Sequence, residues 1–133
     1  MNGPLFAMKP GESLSMTLPP VTTTQLVQYA GASGDFNRIH YDHPFAVEAQ
    51  LGGVIAHGML TMAFMGRAVG EWAGTPGRVK NINARFTSPV RPGDRVRVQA
   101  TVTAPEATGH VACTLEAWVE DTRVAVGEAL IAR

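Results

Sequence analysis

A chain of 133 residues is the size of one domain, here residues 1–133, and leaves little for a second. Its 11 Lys and Arg balance 11 Asp and Glu, so no strong field gathers nucleic acid or an anionic membrane, and both partner classes are disfavoured. Hydrophobic residues make up 45% against 17% charged, richer than a lone small soluble domain requires, which predicts a face buried against a second subunit.

The opening MNGPLFAMKPGES has no basic start, and Pro4, Lys9 and Pro10 interrupt its apolar residues. It does not read as a secretory signal, and a cytoplasmic location is expected. Next, ESLSMTLPPVT alternates Leu14, Met16 and Leu18 with polar residues and stops at Pro19 and Pro20, as a first strand does. The stretch TTTQLVQYAGAS offers hydroxyl N-caps and places Leu26, Val27 and Tyr29 at helical spacing, with Gly31 as the expected stop. Asp42 is placed to cap a second helix, HPFAVEAQLGG, with Pro44 in its first turn and Gly52-Gly53 at its end.

A third helix is expected over about Ala56 to Trp72. It is apolar nearly all round until the Arg67 and Glu71 pair, too short for the ~20 residues that span a bilayer, and expected to be wrapped by other elements. After GTPGR the period changes to two. In DRVRVQATVTAP, Val96, Val98, Ala100 and Val102 share one face; in GHVACTLEAWVE, Val111, Cys113, Leu115, Ala117 and Val119 do. That pattern makes Cys113 a core residue, and as the sole cysteine it has no partner for a disulfide or zinc site. RVKNINARFTSPV and TRVAVGEALIAR flank these two strands, with turns at RPGD and at Glu120-Asp121. One strand, three helices and four strands predict an α+β fold, an antiparallel sheet curled around the long helix, with sheet edges left for a second subunit.

Two places carry candidate chemistry. SGDFNRIH, Ser33 to His40, crowds Asp35, Asn37 and His40 into a turn. These are ordinary turn formers, yet they also supply an acid, an amide and the one side chain that titrates near neutral pH, all within reach of a single water. VIAHGML places Gly58 at the start of the long helix, where backbone N–H groups lack intrahelical partners and a carbonyl oxygen can approach closely. His57 beside it reads as a cap or packing residue, or as a proton-transfer group; Met59, Met62 and Met65 read as core filler.

The runs YAGASGDFNRIHYDHPFA, GGVIAHGMLTMAF and ARFTSPVRPGD together resemble the MaoC-like, R-specific enoyl-thioester hydratase (hydratase 2) family. The (3R)-hydroxyacyl-ACP dehydratase B-type subunits of fatty acid synthesis are especially similar. The resemblance implies a hot-dog fold and a hydro-lyase of fatty acid metabolism that hydrates trans-2-enoyl thioesters or dehydrates (3R)-hydroxyacyl thioesters. It implies Asp35 and His40 as catalytic residues, the Gly58 N–H facing the thioester oxygen, and Asn37, His57, Met59 and Thr61 as substrate contacts, Thr61 standing in for a hydroxyl that members carry near Gly66. No metal or organic cofactor is implied. The implied partners are a CoA or acyl carrier protein thioester and a second hot-dog subunit, identical or related. Arg38 stands where members often have Pro, which implies a looser turn and an extra cation beside the dyad. Bulk at Ala63 or Gly66 is expected to shorten the accepted acyl chain. A hot-dog acyl-thioester hydrolase, which needs a carboxylate on the helix, and a non-catalytic acyl-holding subunit are the alternatives.

Overall fold

The computed structural model describes residues 3–75 and 77–133, so Pro76 of the GTPGR turn and the first two residues lie outside it. Five strands form one antiparallel sheet: β1 (Ser13–Thr17), β2 (Arg78–Phe86), β3 (Arg97–Ala107), β4 (His110–Val119) and β5 (Thr122–Ala132), in the order β1-β3-β4-β5-β2. β3, β4 and β5 run as a meander, joined between the last two by the expected Glu120-Asp121 turn. β1 pairs with β3 and β2 with β5, so β1 and β2 are the sheet's edges.

The period-two segments put their apolar sides together. Val98, Ala100, Val102, Val111, Cys113, Leu115, Ala117 and Ile131 are all buried, and they share one core with Leu60, Phe64, Met65, Ala68, Val69 and Trp72 of helix α3 (Gly58–Ala73). Burial pushes the Cys113 thiol up to about 11, consistent with a packing role. β2 can lie close to β5 because Gly127 has no side chain: a Cβ there would stand 1.9 Å from the Asn83 carbonyl oxygen. The result is the expected sheet around a central helix.

Several boundaries differ from the sequence expectation. α1 (Thr23–Ser33), capped by the Thr22 hydroxyl accepting from Gln25 N–H at 3.0 Å, runs through Gly31. It stops at Gly34, whose left-handed φ of 77° lets its N–H close back on Ala30 O. α2 (His43–Glu48) starts on the Asp42 cap as expected but ends before Gly52-Gly53, because the chain already turns at Gln50 with φ 65°. α3 begins at Gly58 and not Ala56, whose N–H is engaged with the Val90 carbonyl at 2.7 Å.

The helix is also not wrapped on every side. Met59, Ala63, Arg67 and Gly70 lie exposed along one stripe, with Met62 and Gly66 half-buried, so of the methionines expected as filler only Met65 is fully buried. The N-terminal 3₁₀ turn (Pro4–Ala7), which carried no sequence signal, buries Leu5 and Phe6 in the core.

Leu115 and Thr114 are neighbours on β4 with opposite fates, one in the core and one exposed. Leu115→Ala is expected to cost about 3 kcal/mol and lower Tm by roughly 10 °C, through lost burial and the cavity left behind. Thr114→Ala is expected to stay within about 0.5 kcal/mol. Thermal unfolding followed by circular dichroism checks both; equal losses would mean the face assignment of β4 is wrong.

Candidate active site

The turn at Ser33–His40 is held by its own polar side chains. Ser33 Oγ accepts from Asp35 N–H at 3.1 Å, Asp35 Oδ1 from Asn37 N–H at 3.2 Å, and Asn37 Oδ1 from Ile39 N–H at 3.2 Å. The last bond caps the 3₁₀ turn Arg38–His40. The Asn37 carbonyl oxygen is thereby committed to the backbone, its amide NH2 is not, and Asp35 keeps its second carboxylate oxygen free. Tyr41 supports the same loop, its hydroxyl donating to Phe36 O at 2.7 Å.

That free oxygen, Asp35 Oδ2, stands 3.7 Å from His40 Nε2. The gap is too long for a direct hydrogen bond, but a water oxygen about 2.8 Å from each atom closes a triangle across it. Asp35 is 51% exposed and His40 8%, so one partner meets solvent while the other is walled in. His40 Nδ1 lies 2.8 Å from the Ile55 carbonyl, which only accepts; Nδ1 therefore carries the hydrogen, and Nε2 presents a lone pair towards Asp35. Ile55 is itself fixed, its N–H donating to Ile39 O at 3.1 Å. Nothing in the sequence marks this carbonyl, since any residue supplies one.

A cavity of about 470 Å³ opens beside His40, and Asp35 is not among its lining residues. His40, Gly58, Thr61 and Phe86 line it, with Pro89, Val90 and Val124 completing an apolar wall. Gly58 is the first residue of α3, so its N–H has no intrahelical acceptor. The Phe86 ring lies against it: a Cβ on Gly58 would come within 2.8 Å of that ring. No sequence feature marks Phe86, because an aromatic at a strand end reads as core. A larger depression of about 550 Å³ lies on the outer face of the sheet by Asn81, Asn83, Thr114 and Glu128. It is less suited to chemistry, having one carboxylate and no imidazole or amine beside it.

The remaining expected residues divide. Thr61 is buried in the cavity wall, whereas Met59 is 54% exposed and is not among the lining residues. Ala63 and Gly66 do not line it either. His57 is buried, stacked on His40 with ring centroids 3.7 Å apart. Arg38 does not add a loose cation to the dyad. Its Nε and Nη2 donate to Asp42 Oδ2 at 3.0 and 2.8 Å, and its guanidinium covers the Phe45 ring at 4.4 Å. The side-chain hydrogen bond from Arg38, followed by the Phe45 N–H, holds the Asp42 carboxyl below the usual carboxylate range. Glu71, the helix carboxylate a hydrolase would need, sits on the last turns of α3 opposite Arg67, at the far end from Gly58.

Donor atoms of Asp35, His40 and His57 come within 4.8 Å of one another. They do not suit a metal ion. The two imidazoles stack with their planes 22° apart, so their in-plane lone pairs run side by side where a metal requires them to converge.

Among the described residues, no helix is long and apolar enough to cross a membrane. The family model for the MaoC like domain matches residues 6–121. A 3-hydroxybutyryl-CoA dehydratase of Methylorubrum extorquens is 35% identical over 115 residues, covering 84% of this chain and 72% of that protein. An (R)-specific enoyl-CoA hydratase of Rhodospirillum rubrum is 32% identical, covering 81% and 78%. A fungal relative, the fatty acid synthase beta subunit hexB of Dothistroma septosporum, is 39% identical over 105 residues, and the chain spans 5% of its length. Among solved structures, the unliganded R-hydratase PhaJ1 of Pseudomonas aeruginosa superposes with a TM-score of 0.89 at 28% identity, over 98% of this chain and 85% of that one. With the fold and the sequence in agreement, this chain belongs to the MaoC-like domain family.

Proposed function

We propose that this hydro-lyase adds water to trans-2-enoyl thioesters in the (R) sense, and in reverse dehydrates (3R)-hydroxyacyl thioesters, with Asp35, His40 and Gly58 as its catalytic groups. The observation that carries this reading is the 3.7 Å gap between a free carboxylate oxygen and a lone-pair nitrogen whose ring lines a cavity that also holds a helix's amino end.

An enoyl thioester becomes electrophilic at C3 only as charge moves onto the thioester oxygen. The Gly58 N–H stabilises that oxygen, by roughly 2.7 to 4 kcal/mol if it behaves as other single donors do. Water held between Asp35 Oδ2 and His40 Nε2 attacks C3, and its proton passes to His40 Nε2. The electron pair of the double bond moves towards the oxygen. The proton held by His40 then passes to C2 with the help of Asp35 as the enolate collapses, leaving a hydroxyl on C3, a hydrogen on C2 and His40 neutral again. The apolar wall by Val90 and Val124 accommodates an acyl chain. The carrier is CoA or an acyl carrier protein. The exposed stripe on α3 and the open edges of β1 and β2 support a second hot-dog subunit, either a copy or a relative.

Asp35→Asn and His40→Gln proteins are expected to keep the wild-type melting temperature and lose hydration of crotonyl-CoA by roughly a hundredfold to ten-thousandfold, read as slower loss of the conjugated enoyl absorbance. Full activity in both would remove the dyad. Arg38→Ala should behave differently. An exposed ion pair contributes little, and Asn37 and Ile55 still hold the turn, so a rate loss under about tenfold is expected. A loss as deep as that of Asp35→Asn would place Arg38 on the substrate.

A further inference from the structure

The hydration mechanism leaves one buried titratable group unused. His57 is 1% exposed, its ring face to face with His40 at 3.7 Å and edge-on to Tyr29 of α1 at 4.8 Å. Its Nε2 lies 3.2 Å from the Asp35 backbone carbonyl, an acceptor, so Nε2 carries the hydrogen. Its Nδ1 is buried without a partner. A lone pair tolerates that place far better than a charged N–H does, since burying an unpaired charge is the costlier choice. The next residue is Gly58. His57 thus touches all three parts of the site: the Asp35 backbone, the His40 ring and the start of α3.

We propose that His57 is a positioning residue for hydration, a neutral imidazole that sets the register of the Asp35 loop, the His40 ring and the Gly58 N–H, and leaves His40 alone to carry the proton. The inference rests on the dyad reading above. With 1% exposure His57 has no surface to offer a substrate, so a direct contact does not account for it. The ionisable groups facing it are His40 from the 3₁₀ turn, Asp35 from the loop and Tyr29 from α1. Burial is the largest cause lowering its pKa, the Asp35 carbonyl bond opposes this, and the His40 charge lowers it further. A neutral ring stacked on His40 tolerates the charge His40 gains when water is deprotonated. A charged one would repel it.

The test uses the full chain with His57→Phe, which keeps the stacked ring and loses the donor, and His57→Gln, which keeps an N–H donor and loses the ring. Asp35→Asn runs beside them. Long-range proton–nitrogen NMR of the wild type is expected to show His57 in the neutral Nε2–H form at neutral pH, with its titration displaced below the ordinary imidazole value of about 6.5. For crotonyl-CoA, His57→Phe is expected to lose roughly tenfold to a hundredfold in kcat with KM within about twofold, as misplacement of reacting groups does, and His57→Gln to recover part of the loss.

Stability supplies a further reading. A folded-state pKa below the unfolded one means that the unfolded chain binds the proton more tightly. Stability present above about pH 6.5 is therefore lost as pH falls, and His57→Phe should lack that loss. A wild-type kcat in His57→Phe, a raised KM at unchanged kcat, or a His57 that titrates at or above the ordinary imidazole value of about 6.5 would each overturn the proposal. If His57→Phe fails to fold, His57→Gln and the wild-type nitrogen spectrum decide alone. If the wild type hydrates no enoyl thioester, or Asp35→Asn keeps its rate, the dyad reading falls and this one with it. If Asp35→Asn is dead and both His57 variants match wild type, only this one falls.

Discussion

The bond from His40 Nδ1–H to the Ile55 carbonyl, 2.8 Å long, is the interaction on which the site depends. It settles which imidazole nitrogen keeps the hydrogen and so which one can accept a proton. It also links two parts of the chain that must agree in position. The strip carrying Ile55 is clamped on both sides, by Ile55 N–H to Ile39 O and by Ala56 N–H to Val90 O. Two residues later that strip becomes α3 at Gly58. A single piece of backbone therefore positions the His40 ring and the Gly58 N–H together, the groups proposed as base and oxyanion donor, and the sheet anchors it by burying α3.

The loop before it does two jobs with one set of atoms. Asp35 uses Oδ1 to hold the turn and turns Oδ2 towards His40; Asn37 caps the 3₁₀ turn that delivers His40. The structural and chemical readings of these residues are therefore not rivals, because a carboxylate has enough acceptor sites for both. Arg38 adds a brace of another kind. Where a proline would stiffen the turn covalently, this chain ties the turn to α2 through Asp42 and Phe45.

Much of this was legible in the sequence, for identifiable reasons. Strict alternation in residues 95–102 and 111–117 determines which face of each strand is buried, because a slip of one residue would reverse every side chain. The Asp42 cap and Gly58 at a helix start follow from local chemistry. What was not legible depends on contacts distant in sequence or on backbone atoms: the Ile55 carbonyl, the Phe86 ring over Gly58, the His40–His57 stack and the burial of Leu5. Helix ends were misplaced where one glycine stayed helical, as Gly31 did, or where a non-glycine residue, Gln50, took the turn first. Met59 reads as core filler from hydrophobicity alone, since an apolar helix face left open by one chain looks in sequence like a face buried within it.

The central claim is that water held by Asp35 and His40 adds across a double bond made electrophilic at Gly58. Incubating the protein with crotonyl-CoA in deuterated water and analysing the product by chiral chromatography and mass spectrometry tests it most directly. The account predicts (3R)-hydroxybutyryl-CoA with deuterium at C2 and the thioester intact. Release of free CoA thiol, a (3S) product, or recovery of unreacted crotonyl-CoA would contradict it.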